Sequence, residues 1–264
     1  MKVGIIGLGI VGSAIQFGFM KLGHEVLGHD LKLDTRISDL ISAEIVYICV
    51  PTPCTDAGEC NTSIVESCLE GLTEVGYKGV VAVKSTVPPG TTEAWDNKFT
   101  ELTMAFVPEI LRERCAIYDF VEDNRLLAIG CKKSWVVDVV KRSHGGYPKE
   151  VKAMSFSEAE LLKYYSNIFN AMRIIFANEM FEVADLVGAD YSVVKEAFLS
   201  YSKIQDIYLD VNSNFRGYAG TCLPKDVKAI AHLCKEKGLD MKLFETIDRE
   251  NDKFAKTVFQ GMRQ

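Results

Sequence analysis

Three chemically capable side chains, Cys222, Lys225 and Asp226, stand close together behind a run of small residues, RGYAGTC (residues 216–222). A thiol with a cation three residues away can be held partly as thiolate, the form that attacks a carbonyl carbon, and an acidic neighbour can hold a water or a proton. Small residues let backbone turn tightly and approach a ligand. The same letters also describe a buried cysteine at the start of a helix opening near Pro224, and taken alone the segment favours that plainer reading. Upstream, Lys163, Asn167 and Asn170 recur at helical spacing in an otherwise apolar stretch. Burying polar groups costs free energy unless they find partners, so this stripe faces either a polar pocket or solvent at a domain edge, and the residues leave those two readings even.

A second candidate lies at the other end of the chain. Residues 2–6 form an apolar run typical of a strand buried on both faces, followed by GLGIVG (residues 7–12) and a helical pattern through residue 22. In such a turn Gly7 permits the tight bend, Gly9 lets backbone approach a pyrophosphate, and Gly12 lets helix pack on strand. The helix start, with Ile10 and Val11, supplies N–H groups and a positive dipole end. Residues 25–29 read as a second strand ending in Asp30, placed to accept hydrogen bonds from an adenosine ribose. A carboxylate there repels a 2′-phosphate, so the expected cofactor is NAD and not NADP.

These groups need a scaffold. Strands are expected at residues 44–50, 79–84, 102–106 and 125–130, alternating with helices at 37–42, 62–75, 91–99 and 134–143. Alternation of this kind implies an α/β fold with a doubly wound parallel sheet, whose ligands lie at the carboxyl ends of the strands. Pro51, Thr52, Ser85, Thr86, Glu109 and Glu113 all fall on that edge. The alternation stops between residues 144 and 153, and GGYP (residues 145–148) marks a boundary. We therefore expect a cofactor-binding domain over residues 1–150 and an all-helical domain over 151–264, the latter opening on a long helix to about residue 187 with Ser157 and Glu160 as its capping box. That helix is apolar on more than one face, as a buried or dimer-forming helix is.

The balance of the chain excludes some partners. Its 264 residues are 48% hydrophobic and 25% charged, with a net charge of -6, which speaks against general nucleic-acid or anionic-membrane binding. No run is long enough to span a bilayer. The eight cysteines include no CxxC pair, so neither a disulfide framework nor a zinc site is expected, no metal is called for, and a reducing cytoplasm fits best.

With GLGIVG, VPTP (residues 50–53), STVPPGTT (85–92), FVPEILRE (106–113), EAELLKYYSNIFNAMRIIFANE (158–179) and GYAGTCLPKD (217–226) read together, the chain resembles the UDP-glucose/GDP-mannose dehydrogenase family, near its UDP-glucose 6-dehydrogenases. The resemblance implies a Rossmann-like domain followed by a helical dimerisation domain, a nucleotide-sugar substrate, a homodimer, and a place in polysaccharide precursor synthesis. It implies oxidation of a C6 alcohol to a carboxylate in two NAD-dependent steps. Cys222 would be the nucleophile, Lys163 and Asn167 would stabilise oxyanions, Asp226 and Glu113 would move protons, and Thr86 would help hold the attacking water. Lys225 and Glu113 fall at cofactor-contacting positions. Glu109, Ile110, Leu111, Arg112 and Glu113, with Lys163, Asn167 and Ala219, fall at substrate-contacting ones, and residues 211–215 match a substrate loop. Ala219 departs from a usual glycine, the stretch between Asp30 and Glu44 is short, and the family's third domain is expected to be absent. Two alternatives stand beside this reading: a single-step β-hydroxyacid dehydrogenase, and an NAD-binding dimer with little turnover.

Overall fold

The computed structural model describes residues 1–55, 57–220 and 222–254. By internal contacts the chain divides into two compact units, one of residues 1–53 and 60–163 and another of residues 54–59 and 164–264.

The first unit opens with β1 (Lys2–Ile6), the glycine turn, α1 (Ile10–Lys21) and β2 (Glu25–His29). After a short 3₁₀ turn come β3 (Ile45–Ile48), α2 (Ser63–Glu74), β4 (Val80–Val83), α3 (Thr91–Lys98) and β5 (Thr103–Phe106). A short helix that the sequence reading did not anticipate, α4 (Ala116–Val121), leads to β6 (Leu126–Gly130), α5 (Ser134–His144) and β7 (Glu150–Met154). Among the described residues the sheet has seven strands in the order β2-β1-β3-β4-β5-β6-β7. Its pairings are parallel except β5 with β6, which meet antiparallel at Phe106 and Gly130.

Strand alternation explains why the sheet is covered twice. Val46 and Ile48 of β3 point into one core with Val65, Leu69 and Leu72 of α2 and Trp95 of α3. Ile45 and Tyr47 point the other way, into a core with Ile15 and Phe19 of α1, Phe120 of α4 and Val140 of α5. Each fully buried side chain of this size contributes about 1.5–3 kcal/mol, which is why the central strands are apolar at every position.

Two local expectations are corrected. The strand series does not close at Gly130, because β7 pairs in parallel beside β6. Its sequence EVKAM is exposed or half-buried at every position, as an edge strand can be, and so carries no buried-strand signature. The capping box at the next helix, α6 (Phe156–Leu186), is built by Ser155 and Glu158, with Ser155 N donating to Glu158 Oε2 at 2.7 Å and Glu158 N to Ser155 Oγ at 3.3 Å. Glu160 instead reaches α3. Fully buried, it accepts from Gly90 N at 2.6 Å and Thr92 N at 2.7 Å, satisfying two donors at that helix start.

The second unit holds most of α6, then α7 (Tyr191–Tyr201), α8 (Leu223–Glu236) and α9 (Lys242–Asn251). Asp190 caps α7 by accepting from Ser192 N at 2.8 Å. Ala177, Leu209 and Val211 form a small core with Phe181, Tyr191 and Leu199. Residues 54–59 belong here too: the Cys54 thiol donates to Lys225 O at 3.6 Å, and Gly58 (φ 87°) sits where any Cβ would meet Lys228 O at 2.8 Å. None of the described helices is long and apolar enough to cross a membrane.

Candidate active site

In the first unit the residues singled out by sequence gather at the carboxyl edge of the parallel strands. Gly7 follows β1 with φ 89°, and a Cβ there would stand 2.7 Å from Cys49 O. A Cβ on Gly12 would stand 1.9 Å from Gly7 O, so α1 rests directly on the turn. Gly9 is different: nothing lies within 4 Å of where its Cβ would be. It is the N-cap of α1, and no side chain caps that helix. Open space against uncapped N–H groups, Ile10 and Val11 among them, is the cradle a pyrophosphate requires.

Asp30 closes the turn from the side. Its carboxylate accepts from Lys32 N at 3.0 Å and Leu8 N at 2.8 Å, and these bonds, the Lys32 amide first, hold its pKa below the ordinary carboxylate value. It therefore stays charged next to the glycine turn, as discrimination against a 2′-phosphate requires. The residues present fit NAD.

The neighbouring strand ends are tied to one another. Thr52 Oγ1 donates to Thr86 O at 2.7 Å and Ser85 Oγ to Val50 O at 2.7 Å, which fixes the backbone on both sides of Pro51. Glu109 is buried 3.2 Å from the Lys84 ammonium, an ion pair by distance though not aligned as a hydrogen bond, and its other oxygen accepts from Leu111 N at 2.8 Å. Its carboxylate thus shapes the 109–113 segment from below, while Ile110, Arg112 and Glu113 are exposed. Arg112 is turned to Asp119, donating to it through the backbone N, Nε and Nη2. Burial pushes the Asp119 carboxyl up and those Arg112 bonds overcome it, leaving the pKa lowered. Glu113 lines a cleft of about 250 Å³ with Ile10 and Ser13, which brings this predicted cofactor contact beside the N-terminal turn of α1.

In the second unit the cysteine segment is built around Asp226. Asp226 is fully buried, accepts from Asn167 Nδ2 at 2.6 Å and pairs with Lys225 Nζ at 2.6 Å. On α6, Lys163, the last residue of the first unit, and Asn167, one helical turn later in the second, are both buried and Asn170 is half-buried, so the polar stripe is not a fully solvated face. Cys222 is exposed at the N-cap of α8, with its carbonyl accepting from Asp226 N at 3.0 Å. The buried-cysteine reading is thereby set aside, while Pro224 opens the helix as expected. Ala219 lies in the loop between Gly217 (φ 59°) and Gly220 (φ 88°).

Sequence reasoning missed the residues that hold this loop. Asn178 of α6 accepts from Gly217 N at 3.1 Å and Arg216 Nε at 2.8 Å. Asn251 of α9 accepts from Tyr218 N at 2.8 Å and donates to Tyr218 O at 2.9 Å. A lone asparagine in a helix carries no pattern that would have marked either one. Among the described residues no group of three or more His, Cys, Asp or Glu could hold a metal ion.

The open glycine turn, the charged end of β2 and the doubly covered sheet define the class: a dinucleotide-binding α/β protein with a helical second unit. The chain belongs to the UDP-glucose/GDP-mannose dehydrogenase family, whose NAD binding domain matches residues 28–144 and whose central domain matches residues 157–253. A UDP-glucose 6-dehydrogenase of Pseudomonas aeruginosa is 30% identical over 237 residues, covering 84% of this chain and 51% of that protein. The Bacillus subtilis UDP-glucose 6-dehydrogenase TuaD is 31% identical, with 82% and 48% covered. The solved UDP-glucose dehydrogenase of Pyrobaculum islandicum superposes with a TM-score of 0.87 at 27% identity, over 96% of this chain and 68% of that one. The chain spans about half the length of the curated relatives it matches.

Proposed function

We propose that this chain is an NAD-dependent nucleotide-sugar 6-dehydrogenase that oxidises the C6 alcohol of UDP-glucose, or a related UDP- or GDP-sugar, to the carboxylate through a thioester on Cys222. The observation that carries the reading is the exposed thiol at the N-cap of α8, one turn from a buried Asp226 that Asn167 and Lys225 hold in place. Bound NAD supplies the hydride acceptor in each oxidation. Lys163 and Asn167 stabilise the oxyanion at the reacting carbon, a cation and an amide donor one turn apart on a rigid helix. The Cys222 sulfur adds to the aldehyde carbon, the hemithioacetal carbon gives up its hydride, and water cleaves the resulting thioester, returning the thiol and releasing the acid. Asp226, Glu113 and Thr86 serve the proton transfers and the placing of that water. Glu109, Ile110, Leu111, Arg112, Glu113 and Ala219 border the sugar, and Lys225 and Glu113 the cofactor.

The assembly we propose is a homodimer. Tyr165, Phe169, Phe176, Met180, Val183 and Leu186 of α6 are 37–84% exposed, an apolar stripe that calls for a protein partner. The substrate class and the cysteine usage fit a reducing cytoplasm and a role in making polysaccharide precursors.

The test is NADH production measured against a panel of UDP- and GDP-sugars, with the acid product quantified. The proposal expects two NADH per acid and no acid from Cys222→Ala. One NADH per turnover with activity surviving that substitution would instead support single-step alcohol oxidation, and NADH binding without turnover on any sugar would leave a cofactor-binding dimer.

A further inference from the structure

The described part of the loop that delivers Cys222 is held by side chains outside it. It contains Gly217 and Gly220 at positive φ, and glycines offer no side chain to pack, so its geometry depends on partners outside it. Among those partners are two side-chain amides, Asn178 and Asn251, each 1% exposed, and Glu182, which pairs with Arg216. Asn251 commits its oxygen and its nitrogen to the N–H and C=O of one residue, Tyr218, at 2.8 and 2.9 Å, as a neighbouring β-strand would. The Tyr218 ring is buried as well, with its hydroxyl 3.5 Å from Ile247 O, one turn back on α9. Asn178 accepts from Gly217 N and Arg216 Nε and donates to Ile174 O at 2.8 Å, and the Arg216 guanidinium lies 5.0 Å from the centres of the Phe181 and Phe254 rings. Downstream of the thiol, Asn167 holds Asp226.

We propose that Asn251 and Asn178 are positioning residues that set where the Cys222 sulfur stands, acting through the backbone of Gly217 and Tyr218 four to five residues before it. The claim rests on Cys222 being the nucleophile. Sealing buried backbone polar groups is a duty of any loop, but here both amides act on the short span that leads into the thiol. Asp226 and the start of α8 fix the far side of that span. The position of the sulfur is therefore determined from both ends, and loss of either hold frees it.

The experiment uses the full chain with Asn251→Ala, Asn178→Ala and Asn251→Asp. Amide exchange of peptides covering residues 216–226, alkylation of Cys222 by iodoacetamide followed peptide by peptide, and NADH affinity are measured. The other cysteines serve as internal controls. For Asn251→Ala we expect exchange in the loop to quicken by about tenfold or more while the rest of the second unit is unchanged. Alkylation of Cys222 changes by at least about threefold and NADH affinity stays within about twofold, with kcat lowered ~10–100-fold and the cofactor KM unchanged. Asn251→Asp recovers as the pH is lowered, because only a protonated carboxyl can both accept from Tyr218 N and donate to Tyr218 O. If Asn251→Ala does not fold, Asn178→Ala and this recovery carry the test. A loop that exchanges faster while Cys222 alkylation and kcat stay at wild-type values overturns the proposal. Should Cys222→Ala still form acid, the nucleophile reading fails on its own, and the alkylation and exchange results still decide whether the amides place the sulfur.

Discussion

Gly9 and Gly12 are three residues apart in one turn, yet the structure gives their alanine substitutions opposite consequences. At Gly12 the new methyl would stand 1.9 Å from Gly7 O, more than 1 Å inside an ordinary contact, and both partners are backbone. Separating them means moving α1 off β1, at a cost on the order of 3–5 kcal/mol out of the roughly 5–15 kcal/mol that holds a domain together. At Gly9 the methyl meets nothing within 4 Å, and the backbone, with φ -70°, suits any residue. The cost there is the poorer N-cap, about 1 kcal/mol, or about 2–4 °C in Tm for a chain of this size. The space it fills is the one a pyrophosphate must enter. Losing one charge-assisted hydrogen bond from the helix start weakens NADH binding by ~1.5–3 kcal/mol, about 10–150-fold in Kd. Thermal unfolding and NADH fluorescence titration separate the two: Gly12→Ala melts far lower, while Gly9→Ala folds and binds NADH that much more weakly. A Gly9→Ala protein that binds NADH as the wild type does would refute the assignment of the cofactor cradle.

Acid should unfold the first unit through His144. Buried among Phe19, Tyr47 and Phe120, with Nδ1 donating to Val140 O at 2.9 Å and with Ser143, His24 and Lys84 nearby, its pKa is pushed down to about 3, chiefly by burial. The folded state keeps it neutral while the unfolded chain protonates it below about pH 6.5. Its contribution is therefore complete above that pH and is lost as the pH falls towards about 3, by about 2 kcal/mol between pH 7 and pH 5. Urea unfolding of wild type and His144→Gln across that range should show the two stabilities converging, and parallel curves would count against it. On the proposed homodimer, Phe176→Glu, on the exposed apolar stripe of α6, should shift the chain from dimer to monomer in sedimentation with NADH binding retained. An unchanged sedimentation coefficient would remove α6 from the interface.

The sheet was legible because central parallel strands must be apolar at every position and because glycine turns and prolines punctuate them. Runs such as IVYI and VVAV have no other good reading at that length. What escaped was whatever a tertiary neighbour decides. β7 is a charged edge strand recognisable only by its pairing with β6 and by Val151 and Met154 packing on the cores, and α4 is too short to show a period. The misassigned capping box is instructive, since Ser157 and Glu160 have the right spacing, but Glu160 finds stronger use at the start of α3 and the equally well spaced Ser155 and Glu158 take the cap. The candidate site was singled out by residue type at Gly9, Asp30, Asn167, Cys222 and Asp226. Its supports were not, because Asn178 and Asn251 act through backbone atoms that carry no sequence identity.

The long helix shows how the two levels join. At 100° per residue, Glu160, Lys163, Asn167 and Asn178 fall within about 60° of one another on α6, and three of them hold other parts of the chain by hydrogen bonds to Thr92, Asp226 and Gly217. Tyr165, Phe169, Phe176, Met180 and Val183 fall on the opposite side and are exposed. This inverts the ordinary surface helix, which turns its apolar face inward. The polar face is satisfied by partners within its own chain, so its burial costs little, and what remains uncovered is hydrophobic. An exposed apolar stripe of this kind marks a surface for interaction. The face of α6 opposite the candidate chemistry is therefore the one through which the proposed homodimer would form. Substitutions on the exposed stripe should accordingly change assembly first and affect turnover only through loosening of Asn167 and Asn178.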